Sequence, residues 1–197
     1  GLQGTTLFAN DVLDLEVFDD GSGPKLYAVG YFGSAGGLGV PAIAAWDGTS
    51  WSSVGGGLGY VVGSLNLARA FALAVHDDGS GPALFVGGRF NSAGGVAAEG
   101  IAKWNGANWS ALGGGVTSLQ GSGSGEVYAL TSFDDGSGAA LIAGGVFTNA
   151  GGVANTRNIA RWKNSSWSAI ASSTSVPVIQ ALATFDDGSG LELYVGG

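Results

Sequence analysis

The chain contains no cysteine, no methionine and a single histidine, His76. Without cysteine there is neither a disulfide framework nor a thiolate metal site. With one imidazole besides, a zinc, copper or haem centre lacks its usual donors. Basic residues number only 7 and stand singly, against 15 acidic ones, for a net charge of -8. No basic stripe exists to neutralise phosphates, which argues against nucleic acid and against anionic membrane surfaces. No apolar run reaches the roughly 18 residues of a membrane-crossing helix, and no signal-peptide or lipidation pattern is written in these residues. Position 1 is glycine rather than methionine, so the sequence reads as one that begins inside a longer product or after processing. Few lysines beside abundant Gly, Ser, Ala and Thr suit an exported bacterial or cell-surface protein.

What the chain does have is a repeat. Asp-Asp-Gly-Ser-Gly begins at Asp19, Asp77, Asp134 and Asp186. Trp-x-x-x-x-Trp occurs at Trp46/Trp51, Trp104/Trp109 and Trp162/Trp167, which uses all six tryptophans. Phe-x-x-Ala-Gly-Gly starts at Phe32, Phe90 and Phe147, always between the other two. The tryptophan phrase recurs every 58 residues and the acidic phrase after 58, 57 and 52. Such a period signals a repeat architecture.

Within the second copy, Ala70–Val75 alternates as a strand. The acidic phrase then supplies turn chemistry, short polar side chains that bond their own backbone and glycines free to take positive φ. Ala83–Gly88 returns as a second strand. After a longer loop, Ile101–Trp104 and Asn108–Leu112 make a second hairpin about Asn105-Gly106. The third copy has Lys163-Asn164 there instead, so the loop length is left open. Four short strands per repeat with no helical period predict an all-β fold, a β-propeller of four-stranded antiparallel blades. The expected blades span residues 10–58, 66–116 and 124–172, with a half blade at 178–197. That makes about 3.5 blades in one array over residues 1–197.

The first strands alternate large and small. One face carries Leu13, Phe71, Tyr128 and Gln180, then Leu15, Leu73, Leu130 and Leu182. The other carries Ala72, Ala129 and Ala181, then Ala74, Thr131 and Ala183. Large against small is what face-to-face stacking of sheets requires. In copy one the small-face positions hold Asp14 and Glu16. Because dry burial of two carboxylates is costly, that face is expected to be wet: a chain edge, a channel lining or an unusual junction. The tryptophans read as packing residues that seal adjacent blades, each able to bury about 150–250 Å². The competing reading is an exposed aromatic platform for a sugar ring.

A strand ending in glycines, then an aromatic-Asp turn, then a tryptophan, resembles the kelch repeat: Leu26-Tyr27-Ala28-Val29-Gly30, Trp46-Asp47 and Trp51 stand in that order. Leu84-Phe85-Val86-Gly87-Gly88-Arg89-Phe90, followed by Gly100-Ile101-Ala102-Lys103-Trp104-Asn105, is similar to the bacterial delta-60 and fungal Rax2-type surface repeats. The resemblance implies a propeller fold and says little about activity, since propellers host many unrelated functions. The acidic turns resemble the calcium loops of FG-GAP propellers but continue with Gly23-Pro24-Lys25 and Gly81-Pro82-Ala83, where those loops supply further oxygens.

No residue is singled out as catalytic, cofactor-binding or metal-ligating. His76 stands where other copies have Phe18, Phe133 and Phe185 and reads as a substituted aromatic. The Asp-Asp pairs read first as turn formers, then as weak calcium sites, and last as glycosidase acids. Adjacent strand residues point to opposite faces, whereas catalytic carboxylates must converge on one bond. Asn108-Trp109-Ser110 and Asn164-Ser165-Ser166 match the glycosylation sequon. The expected function is a non-enzymatic structural or protein-interaction module, secreted or at the cell surface. A carbohydrate-binding propeller is the alternative and a glycoside hydrolase comes last. An array of this length does not close a ring alone, so the expected partner is a second copy or further repeats of a longer parent. A protein or glycan ligand is possible; nucleic acid and membrane insertion are not expected.

Overall fold

A computed structural model describes residues 2–3, 11–62, 65–118, 125–170 and 176–197. Among the described residues there is no helix. Three four-stranded antiparallel meanders follow one another. Sheet I comprises β1 (Asp11–Asp19), β2 (Pro24–Tyr31), β3 (Ile43–Trp46) and β4 (Trp51–Ser53). Sheet II comprises β5 (Arg69–Asp77), β6 (Pro82–Arg89), β7 (Ile101–Trp104) and β8 (Trp109–Ala111). Sheet III comprises β9 (Glu126–Phe133), β10 (Ala140–Val146), β11 (Ile159–Lys163) and β12 (Ser166–Ser168). Strand order within each sheet is the order along the chain. A two-stranded hairpin follows, β13 (Ala181–Asp186) and β14 (Leu191–Gly196). The expected unit boundaries at residues 10, 124 and 171–172 lie outside the described residues.

The sheets pack face against face in sequence. Phe18, Tyr27 and Val29 of sheet I share a buried cluster with Leu73, Leu84 and Trp104 of sheet II. Phe85 and Ile101, on the opposite face of sheet II, bury with Val127, Leu141 and Trp162 of sheet III. Ile142 and Ile159 then meet Ile179, Leu182 and Leu193 at the hairpin. Each sheet thus has a front, toward the preceding sheet, and a back, toward the next. Cross-strand pairs such as Leu73↔Val86 and Ala74↔Phe85 keep the two faces apart through the period-2 alternation of strands.

The first strand of each sheet carries a bulge, at Leu13, Phe71 and Tyr128. The glycine opposite each bulge has a sharp reason to be glycine. A Cβ on Gly88 would lie 2.2 Å from the Arg69 carbonyl oxygen, and one on Gly145 would lie 2.0 Å from that of Glu126. The preceding Gly87 admits the next sheet instead: a Cβ there would lie 2.5 Å from Val127 Cγ1. The Gly-Gly phrase therefore has two separate duties, one within the sheet and one between sheets.

The Asn105-Gly106 and Asp47-Gly48 turns are four-residue loops, since Trp104 pairs with Trp109 and Trp46 with Trp51. Asp47 Oδ1 and Asn105 Oδ1 each accept two backbone N–H groups of their own loop, which favours the longer turn. The third copy has the two-residue loop, with Asn164 and Ser165 at φ 50° and 57°, as a type I′ turn requires. Asp14 and Glu16 form the unusual junction that was one of the expected alternatives. They lie half-buried on the back of sheet I, toward sheet II. Asp14 Oδ2 accepts the Leu73 N–H at 2.7 Å, so this carboxylate carries its own partner into the junction. The wet face of sheet I is the front, where Leu13, Leu15 and Val17 are exposed.

Candidate functional site

The polar groups of the chain concentrate where each acidic turn meets the next sheet. The turns are built the same way four times. Oδ1 of the first aspartate accepts the N–H groups two and four residues on: Asp19 from Gly21 and Gly23, Asp77 from Gly79 and Gly81, Asp134 from Gly136 and Gly138, Asp186 from Gly188 and Gly190. The second aspartate accepts the serine N–H and hydroxyl, with Oγ distances of 2.6 Å at Asp20, 2.8 Å at Asp78, 2.5 Å at Asp135 and 2.7 Å at Asp187. These are side-chain-to-backbone bonds of short range, so each turn is self-organising.

In the three complete sheets the second aspartate also binds a cation. Lys25 reaches Asp20 at 2.7 Å, Lys103 reaches Asp78 at 2.6 Å, and Arg161 reaches Asp135 at 2.7 Å. Lys103 also donates to Ser80. Lys103 and Arg161 occupy one aligned position in the third strand, where copy one has Ala45. Copy one places its cation on the second strand instead and reaches the same carboxylate. Sequence reasoning missed this ion pair, although the basic residues preceding Trp104 and Trp162 were its signal.

Clefts of about 300 to 330 Å³ lie beside these pairs. The first is lined by Asp20, Lys25, Tyr27 and Trp104, the second by Asp78, Ser80, Lys103 and Trp162. Burial alone would raise the Asp20 carboxyl, but the hydrogen bonds from Lys25 and Ser22 outweigh it and hold the pKa at about 2. Asp78 follows the same logic: burial opposes ionisation, Lys103, Ser80 and Trp162 favour it, and the pKa falls to about 2. Both carboxylates are anions at neutral pH, the opposite of the raised pKa that a general acid needs.

His76 is 4% exposed and makes a hydrogen bond of 2.9 Å between Nδ1 and Ser132 Oγ across the junction of sheets II and III. Its ring packs edge-on to Phe85, where Phe18 meets Tyr27 in copy one. Burial lowers its pKa. Nε2 has no hydrogen-bond partner, so no carboxylate orients the ring as a nucleophile's base requires. The aromatic-substitution reading accounts for the packing, and the bond to Ser132 is what it omitted.

The sequence matches no protein-family model, no curated protein and no solved structure. Geometry therefore carries the functional argument alone. Among the described residues no three His, Asp or Glu side chains converge on one point that could hold a metal ion. No helix of the described residues is long and apolar enough to cross a membrane. Trp104, Trp109, Trp162 and Trp167 are buried, with each pair's ring centroids 5.2 Å apart. Trp109 Nε1 donates to the Val54 carbonyl at 3.0 Å and Trp167 Nε1 to that of Leu112 at 2.8 Å. The second indole of each of these pairs stitches its sheet to the end of the preceding one. None of the four offers a ring face to a sugar.

Proposed function

We propose that this chain is a non-enzymatic structural or protein-interaction module of a secreted or cell-surface protein, built as an arc of about 3.5 propeller blades similar to kelch-type repeats. One observation carries the reading: the acidic pair of every copy is committed to the same turn, and in the three complete sheets to a cation as well. The acidic pairs bond their own turns in all four copies, a cation meets the second aspartate in the three complete sheets, and the Trp109 and Trp167 N–H groups bond the preceding sheet. A concentrated active site would break that uniformity in one copy, and the departure at His76 is a buried aromatic substitution. The regular alternation of front and back faces favours a scaffold whose outer loops and open faces meet partners.

Removing one repeat in register, residues 66–123, tests the proposal. Assembly, secretion and partner capture are expected to fail together, while the shortened chain keeps its strand signature in circular dichroism. A deletion that spares all of these and abolishes turnover of a glycoside or ester substrate would overturn it. The carbohydrate-binding alternative rests on Trp46 and Trp51, which are only half-buried. A glycan array that stays silent with the intact chain removes it.

A further inference from the structure

Each junction between sheets contains a knob and a hollow at one equivalent place. At the first junction Val29 of β2 and Ala70 of β5 share the buried cluster. At the second the bulk is reversed, with Gly87 in place of Val29 and Val127 in place of Ala70. At the third Gly144 admits Ile179, whose Cγ2 lies 2.5 Å from where a glycine Cβ would stand. Bulk on one side is matched by its lack on the other in both orientations, as interior packing demands.

Strand register identifies a fourth such pair on two exposed faces, the front of sheet I and the back of the hairpin. Gly196 lies opposite Ala181 as Gly87 lies opposite Ala72. Val12 lies opposite Gly30 as Val127 lies opposite Gly145. A Cβ on Gly196 would meet only Ala181 of its own hairpin, at 3.7 Å, and Val12 is 42% exposed. The hairpin back thus carries an empty hollow, and the front of sheet I carries a free knob.

The surroundings match in the same way. Phe185 and Tyr194 on the hairpin back form a ring pair with centroids 6.2 Å apart. It is the counterpart of Phe18–Tyr27 at 5.9 Å and His76–Phe85 at 5.7 Å. Those two pairs are buried against the next sheet, whereas Phe185 and Tyr194 are 59% and 45% exposed. Leu73, Leu84 and Trp104 cover the first pair. Their counterparts on the front of sheet I are Leu15, Leu26 and Trp46, and Leu15 is 53% exposed where Leu73 is 4%.

We propose that a second copy of this chain docks head to tail, with the front of its sheet I on the back of the C-terminal hairpin. Val12 of one copy fills the hollow over Gly196 of the other, and Leu15, Leu26 and Trp46 cover Phe185 and Tyr194. The occupant is identified by continuity with an interface that the chain already builds three times, both halves of a fourth being carried on one molecule. An exposed apolar sheet face of this kind is also what solvated proteins normally cover. A heterologous contact closes into a ring where the rotation per sheet permits and otherwise runs on as an open assembly. The inference deepens the structural-module reading and rests on it.

The absence of cysteine makes the test clean. Chains carrying Val12→Cys and chains carrying Gly196→Cys are mixed and oxidised, and a disulfide-linked pair is expected only in the mixture. Sedimentation velocity of the unaltered chain is expected to show concentration-dependent association. Gly196→Val should weaken it by about tenfold or more, the equivalent of about 1.4 kcal/mol. Adding Val12→Ala to Gly196→Val should restore it, because that pair reproduces Val29 and Ala70. Near-ultraviolet circular dichroism shows whether Gly196→Val folds, and Leu15→Glu is the second blocking variant. A chain that sediments as a monomer at every concentration, a Val12-to-Val12 crosslink alone, or a double variant as weak as the single would each overturn the proposal. Failure of the structural-module reading would show differently, as substrate turnover by a monomeric chain.

Discussion

The junction of sheets I and II and the junction of sheets II and III share one backbone plan and fill it with different side chains. In the first, Asp14 accepts the Leu73 N–H and Val29 supplies the bulk beside Ala70. In the second, His76 bonds Ser132, Gly87 leaves the space that Val127 takes, and Lys103 holds Asp78 beneath Trp162. What recurs without change is the bulge, the glycine opposite it and the acidic turn. What varies does so in matched sets, one residue from each sheet. Stacked repeats tolerate this because each junction has to fit only its own two faces.

The largest expected effect falls on the shared backbone plan. Gly88→Ala forces a Cβ to within 2.2 Å of the Arg69 carbonyl oxygen, and backbone cannot swing aside as a side chain does. Loss of more than about 3 kcal/mol is expected in urea denaturation. Gly95→Ala is the control, with φ at 84° and nothing near its Cβ; it should cost only about 1 kcal/mol. Equal losses in the two variants would mean that the bulge is not the constraint.

Next come the ion pairs, which separate a sealed junction from an open one. Lys103 and Asp78 side chains are 11% and 6% exposed, whereas Arg161 and Asp135 are 29% and 43%. Lys103→Met strands a buried carboxylate and should cost about 2–3 kcal/mol. Arg161→Met removes a solvated pair and should cost clearly less than Lys103→Met. Thermal denaturation of both, at low and high salt, checks the ranking; salt should weaken only the second pair.

The matched-set idea is tested by exchanging bulk at the second junction. Gly87→Val alone overpacks against Val127 and should cost about 2 kcal/mol. With Val127→Ala added, the pair becomes a copy of Val29 and Ala70, and a double-mutant cycle should show a favourable coupling of about 1 kcal/mol. Purely additive losses would break the comparison between the two junctions.

The smallest effect is a pH dependence carried by His76. Burial depresses its pKa in the folded chain, so the unfolded chain binds the extra proton first. Stability should fall as pH drops below the unfolded value of about 6.5 and level off below the folded one. His76→Phe, the residue of the other three copies, should remove that slope in melting curves between pH 7 and pH 5. A slope that persists would assign it to other groups.

How much of this was legible in sequence depends on range. The acidic turns were readable because every bond in them closes within four residues, from Asp77 Oδ1 to the Gly79 and Gly81 N–H groups. The four-strand meander was readable because period-2 alternation and turn chemistry repeat. Three things were not. The length of the Asn105-Gly106 loop was left open by its dipeptide and is set by Asn105 Oδ1, which also accepts the Asn108 N–H. The cation on Asp20 moves between strands from one copy to the next, which motif matching does not follow. The partner of Asp14, the Leu73 N–H, was hidden because it lies in the next repeat.

The sequence by itself determined an all-β chain of repeated antiparallel units, the place of each turn, and which residues of a strand share a face. These follow from local geometry, in which a side chain's direction depends on its parity and a turn on its own carboxylate. Only the tertiary structure decided which face meets which neighbour. Leu15 and Leu73 hold the same position in their strands, yet one lies in solvent and the other in the core. That difference comes from whether, among the described residues, a sheet stands in front of them, which no single repeat encodes.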